Sequence, residues 1–393
     1  MTQAVIAGVA AIPVARKLPR AVRDVATDLC FAALADAGLP ARDVDGLFVT
    51  PPALSGMSGF MWSCTLAHHL GLSTRGQALV ECGGLTAALA LKQAVQEVRA
   101  GRLRACLVVA SDIRADDRAD DFEFFIRGMA ADLVGLYGPY DGLYGLAAPI
   151  PYYAMSAQRY LHEHHLSRAD LAPVAVTLRR FAEKNPRAQL RQPITEQEVL
   201  EAPPICPPLG LLDCSAFASG AAAVVVASPD VARRGPRRPV AVRAIGEAHE
   251  PAHFAPLREP LSRFPSAGRA AQEAYAEARL QPVDVDVAEV YGVFTATELV
   301  LYEELGFFDR GRAAHAVREG RTSGGGTTVF NPSGGRLSLG HPAGATPLYS
   351  IVELVEQLRG GCGDRQVAGA SVGLLHAEHG MLNGSLVGLL EAA

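Results

Sequence analysis

Residues Gly324–Thr346 read GGGTTVFNPSGGRLSLGHPAGAT, and seven of these 23 positions are glycine. The glycines bracket Asn331, Ser333 and His341. Glycine lets backbone amides approach a ligand closely. A histidine beside a helix N-terminus is placed to donate to a carbonyl compound or to take a proton from it. No G-K-[ST] follows the glycines, which excludes a phosphate-cradling P-loop.

Working outward, the helix that this passage opens has an echo near the start of the chain. ECGGLTAALALKQAVQEVRAG (Glu81–Gly101) runs parallel to HPAGATPLYSIVELVEQLRGG (His341–Gly361), about 260 positions later. Each begins with a small-residue turn, continues with similar apolar spacing and stops at glycine. A repeat of that period signals a duplicated domain and not a solenoid. Two such helices can direct both N-termini into one pocket, with Gly83, Gly84 and Gly340 offering backbone to a thioester oxygen.

The surrounding pattern is α/β. Strands are expected at Ala4–Ala10, Val44–Val49, Leu79–Glu81, Ala105–Ala110 and Cys214–Ser228. Helices are expected at Ala21–Ala37, ended by Gly38, and from about Gly84 to Arg99. Alternation resumes with strands Val240–Ile245 and Val287–Val290, interleaved with helices near Gly268–Arg279 and Thr295–Leu305. Val367–Leu375 and Ser385–Leu390 close the chain as strands. Continuous apolar strands mean a sheet buried on both faces. Residues from about 115 to 210 break the pattern and read as an insertion. ARRGPRRP (Ala232–Pro239) reads as the link between halves 1–235 and 240–393.

Composition narrows the function. The 393-residue chain is 49% hydrophobic and 20% charged, with a net charge of -5, so no basic nucleic-acid footprint exists. Its seven cysteines form no C-x-x-C pair, and neither a disulfide framework nor a zinc site is expected. In the N-terminal apolar run charges follow rather than precede, unlike a signal peptide. A cytoplasmic protein with no membrane span is expected. His162, His164 and His165 sit on an expected helix, read as a solvated face and not a metal site. The acidic run Asp116–Asp121 reads as a solvated loop. Tyr137, Tyr140 and Tyr144 read equally as packing or as a substrate tunnel.

N-P-S-G-G…G-H-P-x-G-A-T resembles the C-terminal signature of thiolases, in the branch related to sterol-carrier-protein thiolases. ALADAGLPARDVDGLFV (Ala33–Val49), LLDCSAFASGAAAVVV (Leu211–Val226) and VYGVFTATELVLYEELGF (Val290–Phe307) extend the resemblance over nearly the whole chain. It implies two βαβαβαββ halves in five layers (α-β-α-β-α), an inserted loop domain and a homodimer. It also implies coenzyme A as part of the substrate, with no tightly bound cofactor. Proteins of this branch often sit beside a small OB-fold partner with a zinc ribbon.

The departures from the pattern point to the chemistry. Thiolases carry a nucleophilic Cys three residues before the helix-opening glycine, where this chain has Val80 or Glu81. Cys82 is out of register and reads as a small residue beside the turn, or as the alternative nucleophile. Tyr291, in Y-G-V-F, stands where a His often binds the thioester carbonyl, a replacement resembling that of steroid side-chain aldolases. It reads as a catalytic phenol or as a core tyrosine. VGLLHAEHGMLNGS (Val372–Ser385) lacks the second catalytic Cys, leaving His376 or His379 beside Gly380 as an acid–base candidate, His376 being preferred. The expected activity is carbon–carbon bond cleavage of aldolase type on an acyl-CoA. Its catalytic residues would be His341, Tyr291 and His376, and Asn331, Ser333, Gly83, Gly84, Gly340 and Gly380 would bind substrate. The alternatives are an acyltransferase using Cys82, and a non-catalytic acyl-CoA-binding subunit of a complex.

Overall fold

The computed structural model describes residues 3–52, 59–114, 141–146, 148–251, 261–381 and 383–393. The first half holds β1 (Val5–Ala11), α1 (Val22–Ala37), β2 (Gly46–Val49), α2 (Trp62–Leu70), β3 (Gly76–Leu79), α3 (Thr86–Arg99) and β4 (Ala105–Asp112). Helices α4 (Pro149–Glu163), α5 (Arg168–Glu183) and α6 (Glu196–Glu201) follow, then the hairpin β5 (Pro204–Cys206) and β6 (Leu209–Gly210). Strand β7 (Gly220–Ala227) and the short α7 (Pro229–Ala232) complete it. The second half holds β8 (Val240–His249), α8 (Pro265–Ala278), β9 (Val287–Glu289), α9 (Thr295–Glu304), α10 (Ala313–Arg318) and β10 (Val329–Phe330). It ends with α11 (Gly335–Leu339), α12 (Thr346–Leu358), β11 (Val372–Glu378) and β12 (Gly384–Ala392).

Ten of these strands form one sheet in the order β10-β9-β11-β12-β8-β1-β7-β4-β2-β3. Read outward from its centre, the order is β1-β7-β4-β2-β3 one way and β8-β12-β11-β9-β10 the other. Pairing directions match as well. The second strand outward is antiparallel to both its neighbours in each half, and the outer pairs are parallel. Strands β1 and β8 meet at the centre through Val5↔Ala241 and Ile6↔Val240. The sheet therefore carries the same topology twice.

Alternation along the strands sorts side chains into two cores. Ala105, Leu107 and Val109 of β4 face the helices α1 and α2, while Cys106, Val108 and Ala110 join the larger core around α3 and α12. Helix α12 packs on α3 and reaches strands of both halves, and α8 covers β8 and β12 on the far side. The order is α-β-α-β-α, as the resemblance implies. The same close approach recurs in both halves. A Cβ on Gly8 of β1 would lie 2.3 Å from the Ala33 carbonyl oxygen of α1, and one on Gly246 of β8 would lie 2.0 Å from that of Ala270 on α8. Only a residue without a Cβ lets each helix lie this close to its strand.

Several expected elements end elsewhere. The strand expected over Cys214–Ser228 spans only Gly220–Ala227. Before it, Cys214, Phe217 and Ser219 make single bridges to Phe294, His341 and Ala15. The strand expected at Val367–Leu375 runs instead from Val372 to Glu378. Helix α4 ends at Glu163, so His164 is its C-cap and His165 lies beyond it at φ +54°. Asp116–Asp121, Tyr137 and Tyr140 lie outside the described residues, and Tyr144 is exposed. No helix among the described residues is long and apolar enough to cross a membrane.

Gly8→Ala and Gly246→Ala should each lower the unfolding free energy by about 1–3 kcal/mol through overpacking. Urea denaturation of the two variants checks this.

Candidate active site

The two echoing turns, Glu81–Thr86 and His341–Thr346, open α3 and α12 and share one internal device. In the first, the Cys82 amide donates to Thr86 Oγ1 (2.8 Å), whose hydroxyl donates to the Gly83 carbonyl (2.6 Å). The matching position in the second turn is Pro342, which has no N–H to give. Thr346 Oγ1 is instead 3.0 Å from His341 Nδ1. That hydroxyl donates to the Pro342 carbonyl (3.0 Å), which also accepts the amides of Ala345 (2.9 Å) and Thr346 (2.8 Å). Its oxygen is left to accept from His341 Nδ1–H, and Nε2 faces away from this turn's hydrogen bonds. Burial, with Arg336 adding to it, lowers the His341 pKa to about 3. The ring is neutral at physiological pH.

Tyr291 follows β9 and stands beside His341, with ring centroids 5.5 Å apart at 85°. Its backbone is fixed from two sides. The Val290 amide donates to Asn331 Oδ1 (2.7 Å), and the Tyr291 amide donates to His376 Nδ1 (3.4 Å). The next residue must be glycine, because a Cβ on Gly292 would lie 2.2 Å from the Glu298 carboxyl carbon. Burial pushes the Tyr291 phenol far up, and the charges of Glu378 and Asp112 add to this. It stays a neutral donor. Its hydroxyl oxygen would lie 2.7 Å from a Cβ on Gly84, which places it at the mouth of α3. Neither Tyr291 Oη nor His341 Nε2 hydrogen-bonds to a described residue.

The remaining expected residues are held by the protein itself. His376 is fully buried, with Nδ1 accepting from the Tyr291 amide and Nε2 3.3 Å from Ser385 Oγ. Burial lowers its pKa to about 3. Both ring nitrogens are thus engaged within the protein. His379 sets Nδ1 3.0 Å from Asn383 Oδ1, and its carbonyl accepts the Gly84 amide (2.9 Å). The Gly83 amide is taken by Glu81 Oε1 (2.9 Å), and that of Gly380 by Glu378 Oε2 (3.0 Å). Gly340, at φ +107°, lets the chain pass Val14, whose Cγ1 would lie 2.7 Å from a Cβ there. Asn331 and Ser333, both buried, direct their polar atoms at Val290, Glu298 and Glu289. Their place is behind Tyr291 and not on a ligand face. The half-buried Cys82 thiol is pushed up by burial and then by Glu81 and Glu247, the reverse of what a thiolate nucleophile needs.

Three site residues escaped the sequence reading. Asp112, at the end of β4, caps α12 by accepting the Ala345 amide at 3.0 Å. Burial raises its pKa to about 6 against the pull of the Ala345 and Gly344 amides. Glu378 ends β11 and accepts the hydroxyl of Tyr153 from α4. An acid at the end of an apolar strand was the available signal for Asp112 and Glu378, and nothing in the sequence pairs Tyr153 with either. Away from this site, Glu353, Glu356 and Cys362 cluster at metal-ligand distances. Arg365 pairs with Glu353, and Arg187 grips Glu356 at 2.6 and 2.7 Å, so these carboxylates already have cationic partners.

Known proteins give this geometry its context. Residues 246–392 match the thiolase C-terminal domain-like family. An acetyl-CoA acetyltransferase of Methanothermobacter thermautotrophicus is 32% identical over 360 residues, covering 90% of each chain. This chain belongs to the thiolase superfamily. Within that superfamily, a steroid side-chain-cleaving aldolase of Thermomonospora curvata is 31% identical, again over 90% of each chain. The solved Ltp2-ChsH2(DUF35) aldolase superposes with a TM-score of 0.84 at 28% identity, covering 99% of this chain and 98% of that one. The protein is thus a thiolase-superfamily enzyme of acyl-CoA chemistry, in the branch resembling sterol-carrier-protein thiolases and steroid side-chain aldolases.

Asp112 yields a prediction with a definite sign. Its proton is held more tightly in the folded chain than at the unfolded value of about 3.9, so its stabilising contribution is full below about pH 4 and is lost as pH rises through about 6. Relative to Asp112→Asn, the native chain should lose about 2–3 kcal/mol of unfolding free energy between about pH 4 and 7. Urea denaturation of both proteins across that range measures the difference.

Proposed function

We propose that this enzyme cleaves a β-hydroxyacyl-CoA by a retro-aldol step without an acyl-enzyme, coenzyme A being part of the substrate. One observation carries the reading: Tyr291 and His341 are adjacent, buried and neutral, with Tyr291 Oη and His341 Nε2 bonded to no described residue, beside a cysteine whose thiol is pushed up. The thioester oxygen sits between Tyr291 Oη–H and His341 Nε2, the neutral ring taking its Nε2–H tautomer and the Thr346 hydroxyl turning to Nδ1 as the oxygen binds. As the Cα–Cβ bond breaks, charge gathers on that oxygen as an enolate. Preorganised donors in a dry site stabilise such charge far better than water does. His376 holds the Tyr291 backbone in place. The resemblance to the Thermomonospora aldolase supports the same chemistry.

A second reading is acyl transfer through Cys82, favoured by the 32% identity to an acetyl-CoA acetyltransferase. Against it stand the raised thiol and the Gly83 and Gly84 amides, already bonded to Glu81 and to the His379 carbonyl. As to assembly, we propose a cytoplasmic homodimer that works with a small OB-fold partner. The two-component name of the Ltp2-ChsH2(DUF35) structure supports the second component.

Turnover of branched 3-hydroxyacyl-CoA thioesters, followed as released acyl-CoA, separates the two chemistries. Tyr291→Phe should lower kcat by about 10²–10³-fold with KM little changed. Cys82→Ala and iodoacetamide should leave the rate unaltered. A dead Cys82→Ala protein alongside an active Tyr291→Phe protein would establish acyl transfer instead.

A further inference from the structure

A retro-aldol step needs a group that takes the β-hydroxyl proton and later returns one to Cα. Tyr291 is a neutral donor, His341, with its pKa lowered to about 3, is a weak base, and both nitrogens of His376 are engaged. Two buried carboxylates are felt at Tyr291: Asp112, which caps α12 by accepting the Ala345 amide, and Glu378, only 3% exposed, which is bonded to a phenol. Its Oε2 is anchored by the Gly380 amide at 3.0 Å, and its Oε1 accepts the Tyr153 hydroxyl. Tyr153 arrives on α4, from the segment between β4 and β7, and its ring lies 4.8 Å from that of Phe294, in the same Y-G-V-F turn as Tyr291. The phenol is thus tied at one end to a buried carboxylate and packed at the other into the turn that presents Tyr291.

We infer that Tyr153 is the catalytic acid–base of this site and that Glu378 positions it and serves as its proton acceptor; the inference rests on the aldol reading above. Tyr153 Oη takes the β-hydroxyl proton while its own proton passes to Glu378 Oε1. The hydroxyl oxygen becomes a carbonyl, the Cα–Cβ bond breaks, and its electron pair forms the enolate held by Tyr291 and His341. The ketone or aldehyde leaves. Glu378 then returns its proton through Tyr153 to Cα, which yields the acyl-CoA and restores the carboxylate. No further reactant is consumed.

The second half of this cycle can be read without the full substrate, as exchange of the Cα hydrogens of propionyl-CoA in D₂O, followed by mass spectrometry. Wild-type and Cys82→Ala proteins should exchange. Tyr153→Phe and Glu378→Gln should each slow exchange about 100-fold or more. Both should keep the wild-type Tm and a propionyl-CoA Kd within about threefold in calorimetry, since this relay moves protons and does not hold the thioester. Glu378→Asp, which keeps a carboxylate, should recover part of the rate. Exchange by Glu378→Gln and Tyr153→Phe within a few-fold of wild type overturns the inference alone. Loss of exchange in Cys82→Ala with retention in Glu378→Gln overturns the aldol reading beneath it. A wild-type protein that does not exchange overturns both.

Discussion

The buried ion pair between Arg336 and Glu289 is the contact on which the site depends. The two side chains meet at 3.2 Å with no solvent exposure on either. Burying both charges is costly unless their remaining donors and acceptors are satisfied. Glu289 accepts from the Ser333 amide and hydroxyl, and Arg336 reaches the Thr346 carbonyl and Ser350 Oγ. Glu289 lies two residues before Tyr291, and Thr346 is the residue that orients His341. One cation therefore fixes the strand that presents the phenol against the helix that presents the imidazole. Burial raises Glu289 to about pKa 7 even with Arg336 opposing it, so the balance at this pair is close.

That network explains the letters of the N-P-S-G-G signature better than substrate binding does. Asn331 adopts φ +50°, a left-handed conformation that Asn tolerates better than most residues. From there its Oδ1 reaches the Val290 amide and its Nδ2 reaches Glu298. Ser333 satisfies Glu289. The turn is built to seat two buried acids and one arginine behind Tyr291. The duplicated sheet supplies the frame, but its two helix mouths have diverged. In the first half Glu81 bonds back to the Gly83 amide; in the second, Pro342 removes a donor and frees Thr346 to orient His341.

Much of this frame was readable from residue order alone. The apolar spacing of Glu81–Gly101 and His341–Gly361 carried the duplication, because a helix start after a small-residue turn is a local signal. Local signals failed where a boundary decided the outcome. Ending the last-but-one strand at Leu375 put His376 in a loop, a natural place for an acid–base. The strand continues to Glu378, so His376 falls inside the sheet while the carboxylate at its end reaches the site. The Tyr153–Glu378 bond joins positions 225 apart, and no periodicity reports a contact of that range. Pro342 was visible in the sequence, but its consequence for His341 requires knowing that the Thr346 hydroxyl donates to the Pro342 carbonyl and turns its oxygen to His341.

One physical cause accounts for both what this site has lost and what it has kept. Desolvation disfavours whichever form of a group is charged. Applied to Tyr291 and His341, it keeps the phenol protonated and the imidazole neutral, so neither carries a charge that an enolate would have to displace. Applied to Cys82, and reinforced by Glu81 and Glu247, it keeps the thiol protonated and weak as a nucleophile. An interior dry enough to make good donors is therefore a poor place for a thiolate unless cations or free amides offset the burial. Here the amides at the α3 mouth are bonded to Glu81 and to the His379 carbonyl, and Glu81 and Glu247, both acidic, act on the thiol. Carbon–carbon chemistry that stabilises an enolate without a covalent intermediate is the chemistry such an electrostatic arrangement favours.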